Sequence, residues 1–127
     1  MPHSTDRPED VTALLPLTDL AFGVLLALKG DASHGYALIQ QLRERSGRAK
    51  LRTGTVYAAL ARLQDQGLVR ESKDERTDDH SGPRRRYFVI TSRGLAAARA
   101  EASRLSEVLD IARQKDLIRD PVALRYE

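Results

Sequence analysis

The side chains with most to offer chemistry here are basic and clustered. Over residues 32–52, Arg43, Arg45, Arg48, Lys50 and Arg52 stand against Glu44 alone, and Arg84-Arg85-Arg86 form a second knot. Between the clusters lies Thr53-Gly54-Thr55-Val56-Tyr57, small and polar at its start, with Arg62 beyond it. Cations grouped this way suit a polyanion held on one face, and arginine forks match phosphate or guanine bidentately. Elsewhere the balance is acidic or neutral: residues 1–31 carry two basic and five acidic side chains, and from Arg99 onward six of each offset one another.

Catalysis finds no constellation to rest on. The 127 residues include no Cys and three scattered His, which excludes disulfides, thiolate metal sites and cysteine nucleophiles. There is no Gly-rich phosphate cradle and no Ser–His–acid set. We therefore expect no enzyme, no cofactor and no metal. Asp78-Asp79-His80 is too weak a set for a metal site. His34 reads as a hydrogen-bonded histidine at a helix start, and Tyr36 as an edge tyrosine. The acids of the last helix alternate with arginines and read as a solvated face. No apolar run approaches the ~20 residues of a membrane span. The start leads into no signal-type apolar core, so the expected location is cytoplasmic.

The elements that must carry the basic residues follow from the apolar pattern. Residues 1–16, rich in Pro and acid, read as an N-terminal arm with at most a short helix. Helix A, about 18–29, is capped by Thr18 and apolar on more than one side, so it is central. Helix B, about 34–46, has Ser33 as its cap and Ala37, Leu38 and Leu42 on its buried face. Helix C, about 53–66, has Thr53 as its cap, Gly67 as its stop and Val56, Leu60 and Leu63 as one buried stripe. Thr55, Ala58, Arg62 and Asp65 fall on the outward side. The period then changes to two: strands at 68–72 and 84–90 make a hairpin around a turn-rich loop. Thr91 caps a long helix D, about 92–114, spanning roughly 30 Å. Leu95, Ala98, Ala102, Leu105, Leu109 and Ala112 recur on it at steps of three and four, a heptad seam longer than the small domain can cover. That predicts a two-fold homodimer through helix D. Residues 115–127 are a short tail.

Three helices and a hairpin, with a polar turn between B and C, describe a mainly helical winged helix-turn-helix over residues 17–90, extended by the dimerisation helix over 91–114. Helix C suits the major groove, and the hairpin is the wing.

His34-Gly35-Tyr36-Ala37-Leu38, Gly54-Thr55-Val56-Tyr57, Leu60-Ala61-Arg62-Leu63 with Gly67-Leu68-Val69, and Arg85-Arg86-Tyr87-Phe88-Val89-Ile90-Thr91 with Gly94 follow one another in order. Together they resemble the PadR family of transcriptional regulators, in its small form with one C-terminal dimerisation helix. The resemblance implies a homodimeric repressor on an inverted repeat, released in some members by a small-molecule effector. Gly54, Thr55 and Tyr57 match the start of the family's recognition helix, Arg62 a later basic position, and Arg85 to Tyr87 the wing strand. The family usually has Pro where this chain has Thr53 and Ala58. Its drug-binding branch uses a Trp that this chain lacks, and the effector has no identity here.

The expected DNA-contacting set is Lys50, Arg52, Thr53, Gly54, Thr55, Tyr57, Arg62, Arg84, Arg85 and Arg86. The partners are double-stranded DNA and a second copy of the chain, with no membrane. The competing reading is a winged helix serving as a protein-interaction module without a specific DNA target.

Overall fold

Thr18 starts the first helix, α1 (Asp19–Leu28), by accepting the backbone N–H of Ala21 at 3.0 Å in the computed structural model. That model describes residues 10–29, 33–46, 50–72 and 86–119. Val24, Leu25 and Leu28 of α1 are buried, and α1 packs against each of the three other helices. These are α2 (Gly35–Ser46), α3 (Thr53–Asp65) and α4 (Ser92–Gln114). The core between them gathers Leu38, Leu42, Val56, Leu60, Leu63 and Phe88. The stripe predicted for the third helix is therefore the buried one, and Thr55, Ala58, Arg62 and Asp65 are exposed.

Among the described residues the sheet has three short strands: β1 (Ser33–His34), β2 (Val69–Ser72) and β3 (Tyr87–Ile90), in the order β1-β3-β2. The hairpin is antiparallel as expected, with Val69 opposite Ile90 and Glu71 opposite Phe88. The loop joining it, including Asp78-Asp79-His80, lies outside the described residues, as do Arg84 and Arg85.

Three local expectations need correcting. Ser33 is not a helix cap: it pairs with Phe88 in β1, and the helix begins at Gly35, whose N–H donates to the Arg86 carbonyl at 3.1 Å. Thr53 is not the cap of α3 either. Arg52 holds that place, its carbonyl accepting the N–H groups of Thr55 and Val56, so Thr53 is the first helical residue. Nor is the acidic side of the last helix wholly solvated, because Glu101 is only 2% exposed.

The other end of α3 is set as the sequence suggests. Gly67 sits at φ +78°, with its N–H on the Gln64 carbonyl and the Leu68 N–H on that of Leu63. That pair of hydrogen bonds closes a helix around a left-handed residue, where glycine has no Cβ penalty. Thr91 then ties this stop to α4. Its hydroxyl donates to the Gly67 carbonyl at 2.7 Å and accepts the Gly94 N–H at 2.9 Å. The short helix expected near the N-terminus is a 3-10 turn, Thr12–Leu14, which packs on α4 with Val11 in the core.

Candidate nucleic-acid interface

The first turn of α3 is presented bare. Lys50, Arg52, Thr53, Gly54 and Thr55 are all exposed, and a Cβ added at Gly54 would meet nothing within 4 Å. A helix N-terminus carries unpaired backbone N–H groups and the positive end of its dipole, so this turn can take an anion while its side chains meet base edges. Arg62 is exposed further along the same helix, and Arg70 is exposed on β2.

The connector leading into this turn is held by a residue that sequence reasoning counted only as one more cation. Arg43 of α2 donates from Nε and Nη2 to the Leu51 carbonyl, at 2.9 and 2.6 Å. Its guanidinium therefore fixes the backbone between Lys50 and Arg52. The signal was faint: a basic residue in the last turn of a helix can reach carbonyls as readily as solvent.

Tyr57 sits at the junction of α3 with the wing. It is half-buried, its ring meeting Phe88 edge-on at 6.3 Å and 61°. Its hydroxyl end presses on Gly35, where any Cβ would collide with it. That contact accounts for the glycine at the start of α2. Tyr36, by contrast, is 67% exposed, and its hydroxyl accepts from Gln40 Nε2 at 2.8 Å.

Arg86 is more occupied than a free wing-root cation. Its Nε and Nη2 donate to both carboxylate oxygens of Glu71, at 2.8 and 3.0 Å. Its guanidinium carbon lies 5.3 Å from the centroids of both Tyr57 and Phe88. The hydrogen bonds from Arg86 hold the Glu71 carboxyl below its ordinary value, and those bonds raise Arg86 in turn. Glu71 was not among the expected site residues, because acids on a strand give no signal of their partner across the ladder.

The seam expected on the last helix is split. Leu95, Ala98, Leu105 and Ala112 are half-buried, whereas Ala102 and Leu109 are exposed. The face turned to the chain's own domain is instead Gly94, Ala97 and Glu101. Among the described residues no helix is long and apolar enough to cross a membrane.

Residues 24–100 match the family model described as the transcriptional regulator PadR-like family. Among solved structures, the fold is shared with a PadR family transcription regulator from hypervirulent Clostridium difficile. That likeness has TM-score 0.66 and 24% identity, over 76% of this chain and 97% of that one. A PadR-like transcriptional regulator from Bacillus cereus aligns with TM-score 0.65 and 20% identity, over 86% of this chain and 97% of its own. A PadR-like transcription factor from Bacteroides fragilis gives 0.65 and 23%, over 83% and 97%. No curated protein matches the chain.

Proposed function

The chain belongs to the PadR-like family of transcriptional regulators, a family of regulators and not of enzymes, and on that footing we propose that it is a cytoplasmic homodimeric repressor. Each protomer places α3 in one half-site of an inverted repeat, with half-site centres one helical turn of DNA apart, roughly 34 Å, or a multiple of it. Thr53, Gly54, Thr55 and Tyr57 meet the bases or approach them closely. Lys50, Arg52 and Arg62, with Arg84 and Arg85 of the wing, meet phosphates. The seam Leu95, Ala98, Ala102, Leu105, Leu109 and Ala112 joins the two copies. A small-molecule effector of unidentified chemistry enters the reading only as an input, and no residue is assigned to it.

The observation that carries the reading is the unencumbered first turn of α3. Among the described residues nothing lies within 4 Å of a Cβ added at position 54, and a glycine there leaves the backbone open to close approach by an outside partner.

The test is a gel shift of the purified protein on the DNA immediately upstream of its own gene. We expect a shift mapped to an inverted repeat. If about six to eight phosphates are neutralised, log K falls against log salt with a slope of about −5 to −7. A salt-independent shift, or none on any genomic fragment at low salt, defeats the reading.

A further inference from the structure

We infer that Glu71 and Arg86 form a clasp that sets the wing against α3, making Arg86 a positioning residue for the reading turn and not a phosphate contact. The inference deepens the proposed DNA binding and rests on it.

Four elements meet at residue 86. The Arg86 guanidinium takes both oxygens of Glu71 on β2. The same group lies over Phe88 of β3 and Tyr57 of α3, 5.3 Å from each centroid. The Arg86 carbonyl accepts the Gly35 N–H at the start of α2, and Gly35 is in turn packed on the Tyr57 hydroxyl. Any tilt of the wing about α3 must break one of these contacts.

The pair's exposure indicates what it is for. The side chains are 50% and 38% exposed, and ion pairs so open to solvent contribute little to stability. What a bidentate fork held over aromatic rings does supply is a fixed orientation. The pair also has no net charge, so it adds little to the attraction of phosphate. Lysine cannot replace arginine in this geometry, because an ammonium is a point charge with neither fork nor plane.

The opposed possibility, that a phosphate displaces Glu71 and takes Arg86 for itself, predicts different variants. The test uses a labelled duplex selected by the wild-type protein from a randomised pool, beside an unselected duplex. R86A and R86K should both weaken the selected duplex, each by roughly tenfold, with the salt slope unchanged. E71Q should weaken it in the same direction, and E71Q/R86A should be no worse than R86A alone. Wild-type affinity in R86K together with a salt slope shallower by about 0.9 in R86A would instead establish a phosphate contact. Tighter binding by E71Q would make the carboxylate a competitor.

A second readout needs no DNA. The Arg86 Nε–H resonance should be protected from exchange in the free wild-type protein and lose that protection in E71Q. An unprotected wild-type resonance overturns the clasp. A wild-type protein that selects no duplex overturns the regulator reading, and the resonance still decides the clasp.

Discussion

The two halves of α4 obey one heptad rhythm and meet different surroundings. In the first half the residues turned inward are Gly94, Ala97 and Glu101, all buried. In the second half Val108, Leu109 and Ile111 are 49%, 42% and 52% exposed. Gly94 and Ala97 mark where the helix backbone must lie close to its own domain. Large apolar side chains, left open together within about one turn, mark a surface for which the described residues supply no cover. Scattered exposed leucines mean little, but a contiguous set on one helix end points to a partner. The same periodicity therefore serves internal packing first and, in our proposal, a second copy further along.

The sharpest way to break the contrast is to enlarge the small half. A Cβ at Gly94 would collide with the Leu68 carbonyl oxygen and meet Ile90 Cγ1 at 2.7 Å. Backbone cannot yield as a flexible side chain can. Gly94→Ala should cost roughly 3 kcal/mol, read as a drop of roughly 10 °C in thermal melting. An unchanged melt would mean that α4 is not seated where the structure puts it. The matching change in the distal half is Leu109→Asp. Because Leu109 is already 42% exposed within its own chain, a charge there should leave the protomer folded. Sedimentation should show monomers, and DNA affinity should fall about thirtyfold, roughly 2 kcal/mol. A dimer that survives moves the interface off this face.

How much of this was legible beforehand varies with the range of the interaction. The stop at Gly67 and the cap at Thr91 are local, decided within a few residues, and both are where the sequence puts them. The stripe Val56, Leu60 and Leu63 follows from helical period alone. β1 was missed because two residues carry no strand signal, and Ser33-His34 becomes a strand only through β3, more than fifty positions away. Arg52 displaced Thr53 as cap because the helix begins with the first carbonyl that accepts, whatever side chain stands there. Of the site, the exposed residues of α3 were readable from the wheel. The Arg43 clamp and the Glu71–Arg86 pair were not, since each depends on which neighbour the fold brings within reach.

Glu101 marks the border between the two halves and gives a smaller test. Its carboxylate accepts from Arg104 Nε at 3.0 Å and Nη2 at 2.7 Å, and from the Leu17 N–H at 3.4 Å. The Arg104 hydrogen bonds hold its carboxyl below the ordinary value, outweighing burial, with the Leu17 N–H assisting. A carboxyl depressed in the folded state stabilises above its unfolded value and loses that contribution as pH falls through the folded one. Glu101→Gln should therefore be less stable than wild type at pH 7, by about 1.5 kcal/mol. The gap should narrow steadily under acid, as chemical denaturation at stepped pH would show. A gap constant with pH would mean that the ionised form has no special role there.

The smallest effect lies at the far tip, where no tertiary contact is needed to end the helix. Asp116 has φ 62°, its N–H bonds the Arg113 carbonyl, and the Leu117 N–H bonds that of Ala112. This is the same closure as at Gly67, made with a residue that bears a Cβ and tolerates the left-handed region at some cost. Asp116→Gly relieves that cost but frees the unfolded chain, so the net gain should be only about 0.5 kcal/mol. Melting should rise by about 2 °C, with dimerisation and DNA binding unchanged. Weaker dimers in this variant would mean that the Asp116 carboxylate reaches across to the second copy. The distal half would then carry polar as well as apolar contacts, and the division between an inward half of small residues and an outward half of large ones would need redrawing at its end.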